Sequence, residues 1–163
     1  NTKGFDANTH YPIPFNGADM DDDGEQDNLN FGTDPDPATT FTTADGTGTY
    51  ASDLVPHLWY VPDNITIDAV YSLEGADNAT GDTTRFHLFG YTFTSGSTSC
   101  LTAGTLLAHN SDVTNDGCEQ AYKSIWTVDS SSVAGGKVIL AMFRSDSVNS
   151  DYSIQVVCKY HIV

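Results

Sequence analysis

At 163 residues the chain is expected to form one domain with a proper core, and its 39% apolar share is low because Thr, Ser, Asn, Asp and Gly, which favour strands and turns, fill the remainder. Twenty-two Asp plus Glu against six Lys plus Arg give a net charge of −16. That charge disfavours nucleic-acid backbones and anionic membranes as partners, and fits a protein kept soluble by repulsion, binding divalent cations or working in salty water.

Residues 1–50 differ from the rest. They hold most of the prolines and the acidic run, and Thr33-Asp34-Pro35-Asp36-Pro37 blocks helix in favour of extended, solvated backbone. The segment Phe41 to Ala51, rich in Thr and Gly, is expected to hold a first strand pair around Asp45-Gly46. This region reads as an extended arm, and residues 51–163 as the body. No membrane-length apolar stretch and no signal-peptide pattern is visible.

The arm carries the one specific motif. Asp19-Met20-Asp21-Asp22-Asp23-Gly24-Glu25-Gln26-Asp27 matches D-x-D-x-D-G-x-x-D, the first nine positions of a calcium loop. Carboxylates at alternate positions converge on one hard cation, and Gly24 supplies the sharp turn that brings later ligands round. The predicted ligands to Ca2+ are Asp19, Asp21, Asp23 and Asp27 through side-chain oxygens, with Glu25 through its carbonyl. Asn30 stands where an EF-hand has its bidentate Glu, and the flanks do not read as helices, so the loop resembles those of secreted calcium-binding repeats. The alternative is an acidic, solvated loop.

The body is a succession of short strand signals. Leu58 to Val61 is closed by Pro62-Asp63-Asn64. Ile65, Ile67, Ala69, Tyr71 and Leu73 fall on one face of the next segment. A turn cluster spans 75–82. Phe86 and Leu88 then oppose His87, Phe89, Tyr91 and Phe93. Segments at 101–108 and 120–128 are separated by Asn115-Asp116-Gly117, and Gly135-Gly136 leads into 137–143. The last segment alternates Tyr152, Ile154, Val156, Cys158, Tyr160 and Ile162 against Ser153, Gln155, Val157, Lys159 and His161. Period-two alternation with turn residues between predicts an all-β antiparallel sandwich, with Phe86, Leu88, Ile139, Ala141, Phe143, Ile154, Val156 and Cys158 on inner faces.

Other constellations are weaker. Cys158 reads as a buried free thiol, while Cys100 and Cys118 bracket a turn-rich stretch and are a candidate bridge in an oxidising compartment, or two more free thiols. None of the five histidines sits in a recognised ligand spacing, and no nucleophile elbow, P-loop or dinucleotide fingerprint occurs, so no catalytic residue is assigned and an enzyme is not expected. Trp59, Tyr60 and Trp126, with Tyr50 and Tyr91, form either a sugar platform or core packing; alternation around Trp126 favours packing.

The body also resembles small jelly-roll virion proteins of marine tailed phages. The resemblance rests on the order of Leu58-Trp59-Tyr60-Val61-Pro62-Asp63-Asn64-Ile65-Thr66-Ile67, Arg85-Phe86-His87-Leu88, Ala134 to Ala141, Arg144-Ser145-Asp146 and the closing segment from Tyr152 to His161, and covers roughly residues 55–163. It implies a jelly roll, a location on the virion surface or otherwise outside the cell, like subunits in a homo-oligomer (usually a trimer), and contact with capsid or other virion proteins. The expected function is therefore a non-catalytic, calcium-stabilised protein that decorates or cements a capsid. Two alternatives stand beside it: a lectin-like tail-fibre module reading a glycan, and an extracellular filament subunit assembled by strand addition.

Overall fold

The computed structural model describes residues 9–13, 18–19, 58–77, 81, 83–92, 96, 102–116, 120–145 and 151–163. Every regular element among them is a strand: β1 (Thr9–Ile13), β2 (Ala18–Asp19), β3 (Trp59–Val61), β4 (Ile65–Asp77), β5 (Thr83–Thr92), β6 (Thr102–His109), β7 (Val113–Thr114), β8 (Gln120–Ile125), β9 (Thr127–Val128), β10 (Ser132–Val133), β11 (Lys137–Ser145) and β12 (Asp151–Ile162). They form two antiparallel sheets. The first has the order β1-β12-β4-β10, with β2 beside β12 and β8 beside β4; the second runs β3-β11-β5-β6-β9, with β7 beside β5. The chain crosses between the sheets from β3 to β5 and at every step from β7 to β12, so the fold is an all-β antiparallel sandwich of jelly-roll type.

The alternation read from the sequence is what builds the core. Phe86, Leu88, Ile139, Ala141, Ile154, Val156 and Cys158 lie in one buried cluster between the sheets, with Trp59, Val61 and Trp126. Each large apolar side chain fully buried there contributes about 1.5–3 kcal/mol. Phe143 is outside the residues whose side chains are described. Both described tryptophans therefore pack in the core: Trp126 stacks on Phe86 at 5.4 Å between centroids, and Trp59 meets Tyr160 at 5.1 Å. The second sheet is apolar on both sides, because Phe89, Tyr91, Val138 and Leu140 make a separate buried cluster on its outer surface.

Two features differ from expectation. Thr9–Ile13 belongs to the segment read as an arm, yet it pairs along β12 from Thr9↔Tyr160 to Ile13↔Val156, adding a strand to the first sheet. The strand pair expected around Asp45-Gly46 lies outside the described residues. More consequential is β4. Its pairing with β12 steps from Ile67↔Tyr160 to Ala69↔Lys159, leaving Asp68 as an extra residue. A bulge of this kind moves every later side chain to the opposite face. Ile65 and Ile67 are buried as expected, but beyond Asp68 the inner positions are Val70, Ser72 and Glu74, while Tyr71 and Leu73 turn outward.

A glycine holds the β3–β4 and β10–β11 connections together. Gly135 donates its N–H to Asn64 Oδ1 at 2.9 Å, and a Cβ there would lie 2.7 Å from the Pro62 carbonyl oxygen. The next residue, Gly136, has φ +86° and donates to the Val61 carbonyl. Leu58–Ile67 and Ala134–Ala141 are thus neighbours in space.

Candidate functional site

The bulge at Asp68 creates two surfaces from one strand. Outward, Tyr71, Leu73 and Gly75 of β4 stand beside Ile125, Lys123 and Ala121 of β8, and beside Val157, Gln155 and Ser153 of β12. Gly75 lacks a side chain and Ala121 and Ser153 have short ones, so the sheet surface dips into a groove of about 580 Å³. Leu73 is 44% exposed and Ile125 76%. The Lys123 ammonium lies 4.3 Å from the centre of the Tyr71 ring, a cation–π contact that holds both side chains on the groove rim. Glu74, between Leu73 and Gly75, contributes to the lining of the groove, and the exposed Asp68 pairs with His161 at the bulge.

Inward, the same strand puts polar groups between the sheets. Trp126 Nε1 donates to Ser72 Oγ at 3.0 Å, and Ser72 Oγ donates to Glu74 Oε1 at 2.5 Å. Glu74 is 3% exposed, and its Oε2 has no hydrogen-bond partner. Burial pushes its pKa above the ordinary value of 4.5, while the Ser72 hydrogen bond and the neighbouring Tyr122 hydroxyl, which lies outside hydrogen-bond geometry to Oε2, act the other way. The Tyr122 hydroxyl also lies 3.3 Å from Asn115 Oδ1 and 3.3 Å from Thr84 Oγ1. Asn110 closes the lobe: it accepts from the Phe86 N–H at 2.6 Å and reaches Ser124 Oγ at 3.4 Å. The sequence reading assigned roles to none of Ser72, Glu74, Asn110 or Tyr122. For Ser72 and Glu74 the signal was polar residues at alternate positions of β4, which reads as a solvent face until the bulge is known.

The predicted calcium ligands are only partly within the described residues. Asp19 is in β2, directly opposite Asp151, which in turn is opposite Asp77 of β4. Three aspartates are thereby aligned across three strands at one end of the sheet. Asp21, Asp23, Glu25 and Asp27 lie outside the described residues, as do Cys100 and Cys118. Among the described residues no group of three or more His, Cys, Asp or Glu is placed to hold a metal ion.

The remaining candidates fall as follows. Cys158 is a free, buried thiol, raised to about 12 by burial and further by the Asp68 carboxylate, so it stays protonated and inert at neutral pH. Of the aromatic residues, Trp59, Trp126 and Tyr91 are buried, in keeping with the favoured packing reading, Tyr60 is exposed, and Tyr50 is outside the described residues. His87 and His109 face each other across β5 and β6, a pairing invisible in their sequence spacing. His87 is buried near Phe89, whereas the His109 Nδ1 meets Asp129 Oδ2 at 2.6 Å. His161 Nδ1 meets Asp68 at 3.0 Å, tying the bulge to β12.

No family model matches the chain, and no curated protein matches it. Among solved structures, the Eiger TNF from S. frugiperda matches with 10% identity over 100% of this chain and 87% of that one, at a TM-score of 0.36.

Proposed function

We propose that this chain is a non-catalytic assembly subunit that packs against like subunits through the outer face of β12, β4 and β8, in the manner of a protein decorating or cementing a phage capsid. The observation that carries the assembly reading is the exposed pair Leu73 and Ile125 beside Tyr71 and Lys123 on the outward face. Exposed apolar surface rimmed by polar groups marks interaction sites. Charge limits where like subunits meet: two copies each at −16 repel across most approaches, and the apolar patch bearing Lys123 is where they meet at least electrostatic cost. The assignment to a virion rests on the sequence resemblance, as do the trimer and the capsid partner. Calcium stabilisation rests on the loop motif at 19–27.

A second reading has its own observation. The groove over Gly75, with an aromatic ring, an ammonium and the amide of Gln155 at its margin, has the elements of a shallow glycan cleft.

Sedimentation equilibrium of the intact chain and of Ile125→Glu and Leu73→Glu separates these. An assembly larger than 17.5 kDa that falls to monomer in both variants, with an unchanged CD spectrum, supports the subunit reading. A wild-type chain that stays monomeric up to high micromolar concentration, or an assembly indifferent to both charges, refutes the face. Glycan-array binding lost in Lys123→Ala favours the second reading.

A further inference from the structure

The polar lobe between the sheets leaves one carboxylate oxygen of Glu74 buried without a hydrogen-bond partner. Glu74 Oε1 is satisfied by Ser72, so the unserved oxygen is Oε2. The Tyr122 hydroxyl has one proton, and Glu74 and Asn115 Oδ1 both neighbour it. Its contacts to Asn115 Oδ1 and Thr84 Oγ1, at 3.3 Å each, are well beyond the usual 2.7–2.8 Å of an O–H···O bond. They match another geometry. Adjacent oxygens held at about 2.3–2.6 Å around a six-coordinate ion are roughly 3.3–3.7 Å apart, the edge of an octahedron.

We propose that Glu74, Thr84, Asn115 and Tyr122 form an internal site for a hard monovalent cation of the sodium class, with Glu74 Oε2 as its anionic ligand. The donors are all oxygen, which excludes thiophilic and imidazole-seeking metals by softness. One carboxylate balances one positive charge, whereas a divalent ion would leave an excess charge buried between the sheets. When Glu74 is ionised, its unserved Oε2 needs a counter-charge between the sheets. The strands supply the site without a dedicated loop: β4 brings Glu74, β5 Thr84, β8 Tyr122, and Asn115 follows β7. A bound ion would cross-link both sheets at this end of the sandwich.

The test is a set of thermal melts of the full chain at constant ionic strength in sodium chloride and in choline chloride. Sodium at about ten times its dissociation constant should raise the melting temperature by about 3–6 °C. Glu74→Gln, which keeps the shape and removes the charge, should abolish the difference, and so should Tyr122→Phe. Asp21→Ala plus Asp23→Ala, which alters the acidic loop alone, should keep it. Sodium-23 linewidths report binding without relying on folding, and should broaden with the wild type but not with Glu74→Gln. Equal melts in both salts, or a sodium effect that persists in Glu74→Gln, would overturn the site. Calcium stabilisation lost in Glu74→Gln but kept in the loop variant would overturn the monovalent assignment.

Discussion

Ser72→Ala is the substitution that most sharply probes how this sandwich is held together at its polar end. It removes one buried oxygen that takes the Trp126 indole proton at 3.0 Å and gives its own proton to Glu74 Oε1 at 2.5 Å. A hydrogen bond to a charged group is worth about 1.5–3 kcal/mol, and a buried donor left without an acceptor costs about 1–3 kcal/mol. Local relaxation recovers part of the sum, so the expected loss is about 3 kcal/mol, or roughly 6–12 °C in melting temperature for a chain of this size. Urea unfolding followed by tryptophan fluorescence and far-UV CD measures it, with an unchanged m-value as the control for two-state behaviour. The cycle is completed in a Trp126→Phe background, where the ring still stacks on Phe86 but no indole proton remains to be orphaned. There Ser72→Ala should cost about 1 kcal/mol less than in the wild type. A Ser72→Ala protein within about 0.5 kcal/mol of wild type, or additive behaviour in the cycle, would show that the network is wet or absent and refute the reasoning.

Other outcomes follow from the same geometry. Gly135→Ala should destabilise by about 1–3 kcal/mol in a chemical melt, because the new methyl meets the Pro62 carbonyl at 2.7 Å and backbone has to move. Glu74 has a raised pKa in the folded state, so its contribution to stability is fully present below its ordinary value of 4.5 and is lost as pH rises through the folded value. In sodium-free buffer, stability measured from pH 4 upward should therefore fall more steeply in the wild type than in Glu74→Gln; parallel profiles would assign the slope to other groups. For the acidic loop, EDTA should lower the melting temperature of the wild type and leave the Asp21→Ala plus Asp23→Ala protein unmoved, and magnesium should substitute poorly because it demands a smaller octahedral cage. An EDTA-insensitive wild type would leave Asp19 to Asp27 as a solvated loop.

Much of the fold was legible before any coordinates, and the reason is local. Alternation in β12 is continuous from Ile154 to Tyr160, so one face had to be buried, and Ile154, Val156 and Cys158 are. Phe86, Leu88, Ile139 and Ala141 obey the same rule in the facing sheet. The turn chemistry of Pro62-Asp63-Asn64 and Gly135-Gly136 was equally readable, because each residue type there answers a backbone requirement of its own position.

The candidate site was not legible, because it depends on register between segments far apart in the chain. Read alone, residues 65–73 alternate in one unbroken phase, and Tyr71 and Leu73 belong inside with Ile65 and Ile67. Pairing with β12 inserts Asp68 as an unmatched residue, and the phase reverses. That single step sends Tyr71 and Leu73 to the surface, brings Ser72 and Glu74 into the core, and so makes both the proposed contact face and the polar lobe. The sequence alone determined that the chain would form a sandwich and where the main strands of its body would run, though not the strand at Thr9–Ile13, since side-chain alternation is a property of each strand by itself. Only the tertiary structure decided which face of β4 meets solvent, because a bulge exists only between two hydrogen-bonded strands and neither one encodes it alone.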